Sequence, residues 1–105
     1  MRILDINYIT PSGNGTCQLD LGYVRNMPQK DFKVVLDMID MSPDVSHLVN
    51  SLYSYLVETI AELKKGLVEG RLVEGRYVIV HKSEIKRAVN NTNILCKRYN
   101  LQQIE

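Results

Sequence analysis

Residues 16–39, TCQLDLGYVRNMPQKDFKVVLDMI, decide the fold, because within them the spacing of apolar side chains changes from a strand's period to a helix's. From Thr16 to Val24, Cys17, Leu19, Leu21 and Tyr23 alternate with Thr16, Gln18, Asp20 and Gly22, the pattern of a strand with one buried face. From Phe32 onward, Val35, Leu36 and Ile39 recur at steps of three and four, with Lys30, Lys33, Asp37 and Asp40 on the other side. Between the two, Asn26 or Met27 caps the helix and Pro28 lies at or near its first position, where a missing N–H costs nothing.

Working outward, Arg2 to Ile9 also alternates, with Leu4, Ile6 and Tyr8 on one face and Ile3, Asp5, Asn7 and Ile9 on the other. Pro11-Ser12-Gly13-Asn14-Gly15 separates this stretch from the next strand, so the two form an antiparallel hairpin with a loop of about six residues. The glycines do not make a phosphate loop. No lysine follows them, and the next element is a strand where a phosphate loop opens a helix.

Ser42-Pro43-Asp44 ends the first helix near Met41 and starts a second. Its stripe of Val45, Leu48, Val49, Leu52, Leu56, Ile60 and Leu63 predicts a helix from Pro43 to Lys65, closed by Gly66. A direct repeat follows, Leu67-Val68-Glu69-Gly70-Arg71 and then Leu72-Val73-Glu74-Gly75-Arg76, too short in period for a solenoid. Either Glu74-Gly75 turns a small hairpin into the β-prone Tyr77 to Val80, or the first copy only lengthens a loop. A last helix opens at Ser83. It runs unbroken to about Asn100 or breaks near Asn91, since Asn90, Asn91 and Asn93 weaken its middle. The expected fold class is α+β, in the order ββααβα, with residues 1–105 forming one domain.

Composition sets limits on function. A 45% hydrophobic fraction over 105 residues suffices for a core without disulfides or a structural metal. Cys17 and Cys96 are the only cysteines, far apart and among apolar neighbours, and read as reduced thiols of a cytoplasmic protein. No signal-peptide run and no stretch near the length of a membrane span occurs, so a membrane association is not expected.

Charge is uneven along the chain. Residues 28–62 set Lys30 and Lys33 against six carboxylates, whereas residues 63–105 set nine Lys or Arg against four. Arg76, Lys82, Lys86, Arg87, Lys97 and Arg98, with Tyr99 as a stacking ring, are the candidate surface for nucleic acid or an acidic partner. The competing reading is a basic helix lying beside the acidic ones and partly neutralised by them. Tyr53 and Tyr55, beside the second helix's stripe, are the candidates for a protein interface, or else rim the core.

His47 and His81 are the only imidazoles, and neither sits in a catalytic or metal-binding pattern. No enzyme, cofactor or metal is therefore expected. The expected function is a non-enzymatic module that binds another protein or a second copy of itself, as inhibitor, adaptor or accessory protein of the kind phages and mobile elements carry. Nucleic-acid binding through the basic C-terminal segment is the alternative, and a small Cys/His enzyme the third.

Overall fold

The computed structural model describes residues 3–69, 71–73, 76–78 and 82–104, and of 66–69, 71–73 and 76–78 only the backbone. It is an α+β domain in which an antiparallel hairpin packs against helices. β1 (Ile3–Thr10) pairs with β2 (Gly13–Asp20) from Ile3 opposite Asp20 to Thr10 opposite Gly13. The expected faces hold. Ile6 and Leu19 are buried and Leu4 and Cys17 pack beside them, while Ile3 and Ile9 face outward.

The turn is tighter than the sequence suggests, only Pro11 and Ser12 standing between the strands. Thr10 Oγ1 donates to the Gly13 carbonyl at 2.7 Å, and Gly13 leaves the turn at a φ of 136°, which a side chain would resist. Further along the ladder Gly15 lies opposite Tyr8 and leaves room for its ring. A Cβ there would clash with the Tyr8 ring.

β2 also ends earlier than expected. The Asp20 carboxylate accepts the N–H of Gly22 at 2.9 Å and caps a short helix, α1 (Leu21–Val24). An aspartate that bonds the backbone two residues ahead competes with the strand ladder and here prevails. Leu21 and Val24 turn inward, but Tyr23, expected on the buried face, is 55% exposed.

α2 (Gln29–Asp40) is capped by Pro28 itself, with no side-chain cap. It buries the expected Phe32, Val35, Leu36 and Ile39 and ends at Met41. α3 (Val45–Glu69) starts two residues later than expected. Ser42 Oγ accepts the Asp44 N–H at 3.1 Å, and the Asp44 carbonyl accepts the first helical bond, from Leu48. Nor does Gly66 stop it. A glycine inside a helix costs only about 1 kcal/mol relative to alanine, too little to end a long cooperative helix.

β3 (Arg71–Val73) and β4 (Arg76–Val78) pair antiparallel. The Glu74-Gly75 turn, Ile79, Val80 and His81 lie outside the described residues. The order ββααβα is therefore met only in part, with α1 added. α4 (Lys82–Tyr99) begins one residue before Ser83 and runs unbroken through its asparagines.

Those asparagines explain the placement of α4. Asn91 is fully buried, and its Nδ2 donates to the Met27 carbonyl at 2.8 Å and reaches that of Val24 at 3.5 Å. These are carbonyls at the joint of α1 and α2. Thr92, also buried, donates to the Ala88 carbonyl within its own helix. Asn93 pairs twice with the backbone of Ile104, donating to its carbonyl at 2.8 Å and accepting its N–H at 3.0 Å.

The chain can return to Asn93 because Asn100 adopts a left-handed φ of 57°, and the Leu101 N–H then bonds the Cys96 carbonyl at 2.9 Å. Tyr53 and Cys96 both donate to the Gln102 carbonyl. The tail is thus held along α4, with Ile104 against a second cluster of Ile60, Leu63 and Ala88.

Asn91→Ala leaves the Met27 carbonyl unpaired in the core and should lower stability by about 2 kcal/mol. Asn90→Ala, at an exposed position, should change it by less than about 0.5 kcal/mol. Urea unfolding of the two variants checks this. Equal effects would mean that the buried amide does not hold α4 in place.

Candidate functional site

The C-terminal turn of α4 lies against the acidic flank of α2, and this decides what the basic surface can do. Asp37 and Asp40, one turn apart, face Arg98. The guanidinium donates to Asp37 Oδ1 at 2.5 Å, and its Nε to Asp40 Oδ2 at 3.1 Å, with a second, short bond from Nη2 to that same oxygen. Tyr99 Oη donates to Asp40 Oδ1 at 2.6 Å and lies 3.2 Å from the Leu36 carbonyl.

The cluster shifts the acidity of its members. Burial alone pushes the Asp40 carboxyl up, but the bonds from Tyr99 and Arg98 and the guanidinium charge outweigh it and hold it below the usual carboxylate value. Hydrogen bonds to Asp37 and Asp40 raise the Arg98 guanidinium further. Burial, and then the bond to Asp40 and its charge, raises the Tyr99 hydroxyl.

Arg98 and Tyr99 are therefore engaged within the fold. The guanidinium is neutralised by two carboxylates, and the ring packs on the core with its hydroxyl bonded, so neither stands free to meet phosphate or to stack on a base. Arg87 donates to the Asn26 carbonyl at 3.2 Å. Arg76 begins β4, and only its backbone is described.

Arg87 stays exposed and, bonded only to a neutral carbonyl, keeps its charge; Lys82, Lys86 and Lys97 are exposed too, four and then eleven residues apart and so on one flank of α4. Lys97 opens onto a shallow recess of about 320 Å³ lined by Gln29, Asn90, Asn93, Ile94 and Gln103. Tyr53 and Tyr55 both pack partly against the core, and the Tyr53 hydroxyl holds the tail. His47 is exposed. Cys96 is buried, and burial pushes its thiol up, away from the thiolate a nucleophile needs. Among the described residues no three His, Cys, Asp or Glu side chains gather as metal ligands, and no helix is long and apolar enough to cross a membrane.

Sequence reasoning missed an apolar flank on α2. Val34 is 54% exposed and Met41 41%, seven residues apart with the half-buried Met38 between them. Ile9, 55% exposed, adjoins their end, its N–H bonded to the Met41 carbonyl at 2.9 Å. The spacing 34, 38, 41 is visible in the sequence, but the stronger stripe of Phe32, Val35, Leu36 and Ile39 on the same helix masks it.

The chain matches no model of a known protein family, no characterised protein and no solved structure.

The depressed Asp40 value makes stability depend on pH. Between the folded and unfolded values the unfolded chain binds the extra proton, so stability rises with pH there. The contribution is whole above the ordinary value of 3.8 and is lost as pH falls below it, through the depressed folded value. Exposure of the pair keeps it under about 1 kcal/mol. Thermal melts from about pH 6 down to pH 2.5 should show a steeper acid decline in the parent than in Asp40→Asn. Parallel declines would count against the cluster.

Proposed function

We propose that this chain is a non-enzymatic interaction module of the cytoplasm that binds another protein. The observation that carries the reading is the exposed apolar flank of Val34, Met38 and Met41 with Ile9 beside it. Exposed apolar side chains grouped on one flank favour burial against a partner, and methionine adapts its shape to such contacts. Both thiols are free, which fits a reducing compartment. The roles open to such a module are those of inhibitor, adaptor or accessory protein, with the domain spanning residues 1–105.

A second reading, nucleic-acid binding, draws its support from Lys82, Lys86 and Lys97 on one flank of α4. It has lost the part of its basis that rested on Arg98 and Tyr99. Three lysines give a weak, salt-sensitive attraction rather than a stacking platform.

Val34→Glu puts a charge into the flank without touching the core. It should abolish recovery of a protein partner by the immobilised chain from its native lysate, compared quantitatively with the parent, while circular dichroism melts stay superimposable. Equal recovery by both chains would remove the flank from consideration. Fluorescence anisotropy with labelled DNA and RNA tests the second reading. Salt-sensitive binding that Lys82→Glu with Lys86→Glu abolishes would put that reading first.

A further inference from the structure

The two edges of the hairpin differ at two points: on β1 the end of α2 takes the Ile9 N–H and Asp5 places a charge on the strand, while β2 from Gly13 to Leu19 has neither. Thr10 and Gly13 flank a two-residue turn and so form a narrow, hydrogen-bonded pair. Alternation then makes Ile9–Asn14, Asn7–Thr16 and Asp5–Gln18 wide pairs, whose main-chain groups point away from the partner strand. On the β1 edge this is seen directly, where the outward Ile9 N–H is taken by the Met41 carbonyl. On the β2 edge, the outward N–H and C=O groups of Asn14, Thr16 and Gln18 have no main-chain partner among the described residues. The Gln18 carbonyl receives only a long sulfur contact of 3.9 Å from Cys17.

This edge also lacks the devices that keep strands apart. From Gly13 to Leu19 it carries no proline, no charged side chain and no bulge.

We infer that β2 is a self-association edge, and that a second copy of this chain pairs with it antiparallel about a two-fold axis at Thr16. The surface is separate from the apolar flank of α2 and stands whether or not that flank binds a partner. In this register Thr16 faces Thr16 and Asn14 faces Gln18, pairs whose side chains can hydrogen-bond across the seam. On the inner face Cys17 meets Gly15 and Leu19 meets Gly13, large side chains opposite glycines. Asp20 falls opposite Ser12, so no like charges oppose. About six main-chain bonds close the seam, two for each narrow pair. The axis stands perpendicular to the sheet, and the product is one four-stranded sheet, β1-β2-β2-β1, with both sets of helices on the same face.

Sedimentation equilibrium of the full chain tests this, with three variants. The parent should be a dimer at tens of micromolar. Thr16→Pro removes an N–H that the β1–β2 ladder does not use, and Thr16→Lys sets like charges face to face at the axis. Each should weaken the dimer by roughly tenfold or more, with the circular dichroism spectrum of the parent retained. Thr16→Lys keeps the test open should the proline variant unfold. Val34→Glu should leave the dimer intact. A parent that stays monomeric at millimolar concentration overturns the inference. So does a dimer that neither Thr16 substitution weakens, or one that Val34→Glu dissociates, the last moving self-association to the α2 flank.

Discussion

The architecture depends on one buried side-chain amide. α1 is a single turn whose end carbonyl, Val24, accepts the Met27 N–H at 3.2 Å, but the Met27 carbonyl in the link to α2 would be left unpaired in the core unless something reached it. Asn91 does so from the middle of α4, donating to Met27 and approaching Val24. Its own Oδ1 has no protein partner, so the amide serves the joint at some cost to itself. With Asn91 fixed, the rest of α4 follows by helical geometry. Leu95, one turn on, enters the main core, Ala88 meets Ile60 and Leu63, and the last turn arrives beside Asp37 and Asp40.

The charge pattern takes its meaning from that placement. Acidic and basic residues are separated along the chain, yet α4 brings Arg98 back to the carboxylates of α2, so part of the segregation cancels in space. Lys82, Lys86 and Lys97, with Arg87 bonded only to a neutral carbonyl, keep their charge on the surface of α4. Exposed pairs of this kind contribute little to stability. Their effect is to tie Arg98 and the one tyrosine of α4 to the carboxylates of α2 rather than to a charged ligand.

Much of the fold was legible because burial leaves a periodic trace. The alternation of Leu4, Ile6 and Tyr8 and the stripes of α2 and α3 gave the correct faces directly. What stayed hidden depends on contacts distant in sequence or on local bonds that outcompete periodicity. Asp20 turns a strand into a helix with one bond to Gly22, although Leu21 and Tyr23 continue the alternation. Leu-Val-Glu occurs twice in the repeat; in the first copy it lies in α3, whereas Leu72 and Val73 of the second lie in a strand, so neither state belongs to the pentapeptide. The asparagines of α4 look like helix breakers because their tertiary partners, Met27 and Ile104, cannot be seen from the helix itself. For the same reason the sequence left open whether Arg98 was free or neutralised, the answer lying 58 residues away in Asp40.

The joint held by Asn91 spans 64 residues of chain, and that separation bears on the order in which the molecule assembles. The β1–β2 hairpin closes a loop of only two residues and α3 grows along its own backbone, so both form at little entropic cost. Closing α4 onto the α1–α2 link restricts a far longer loop before any contact rewards it. By this loop-closure cost, docking of α4 follows the hairpin and α3, and it is the step that buries the Asn91 amide and carries Arg98 onto the exposed carboxylates of α2.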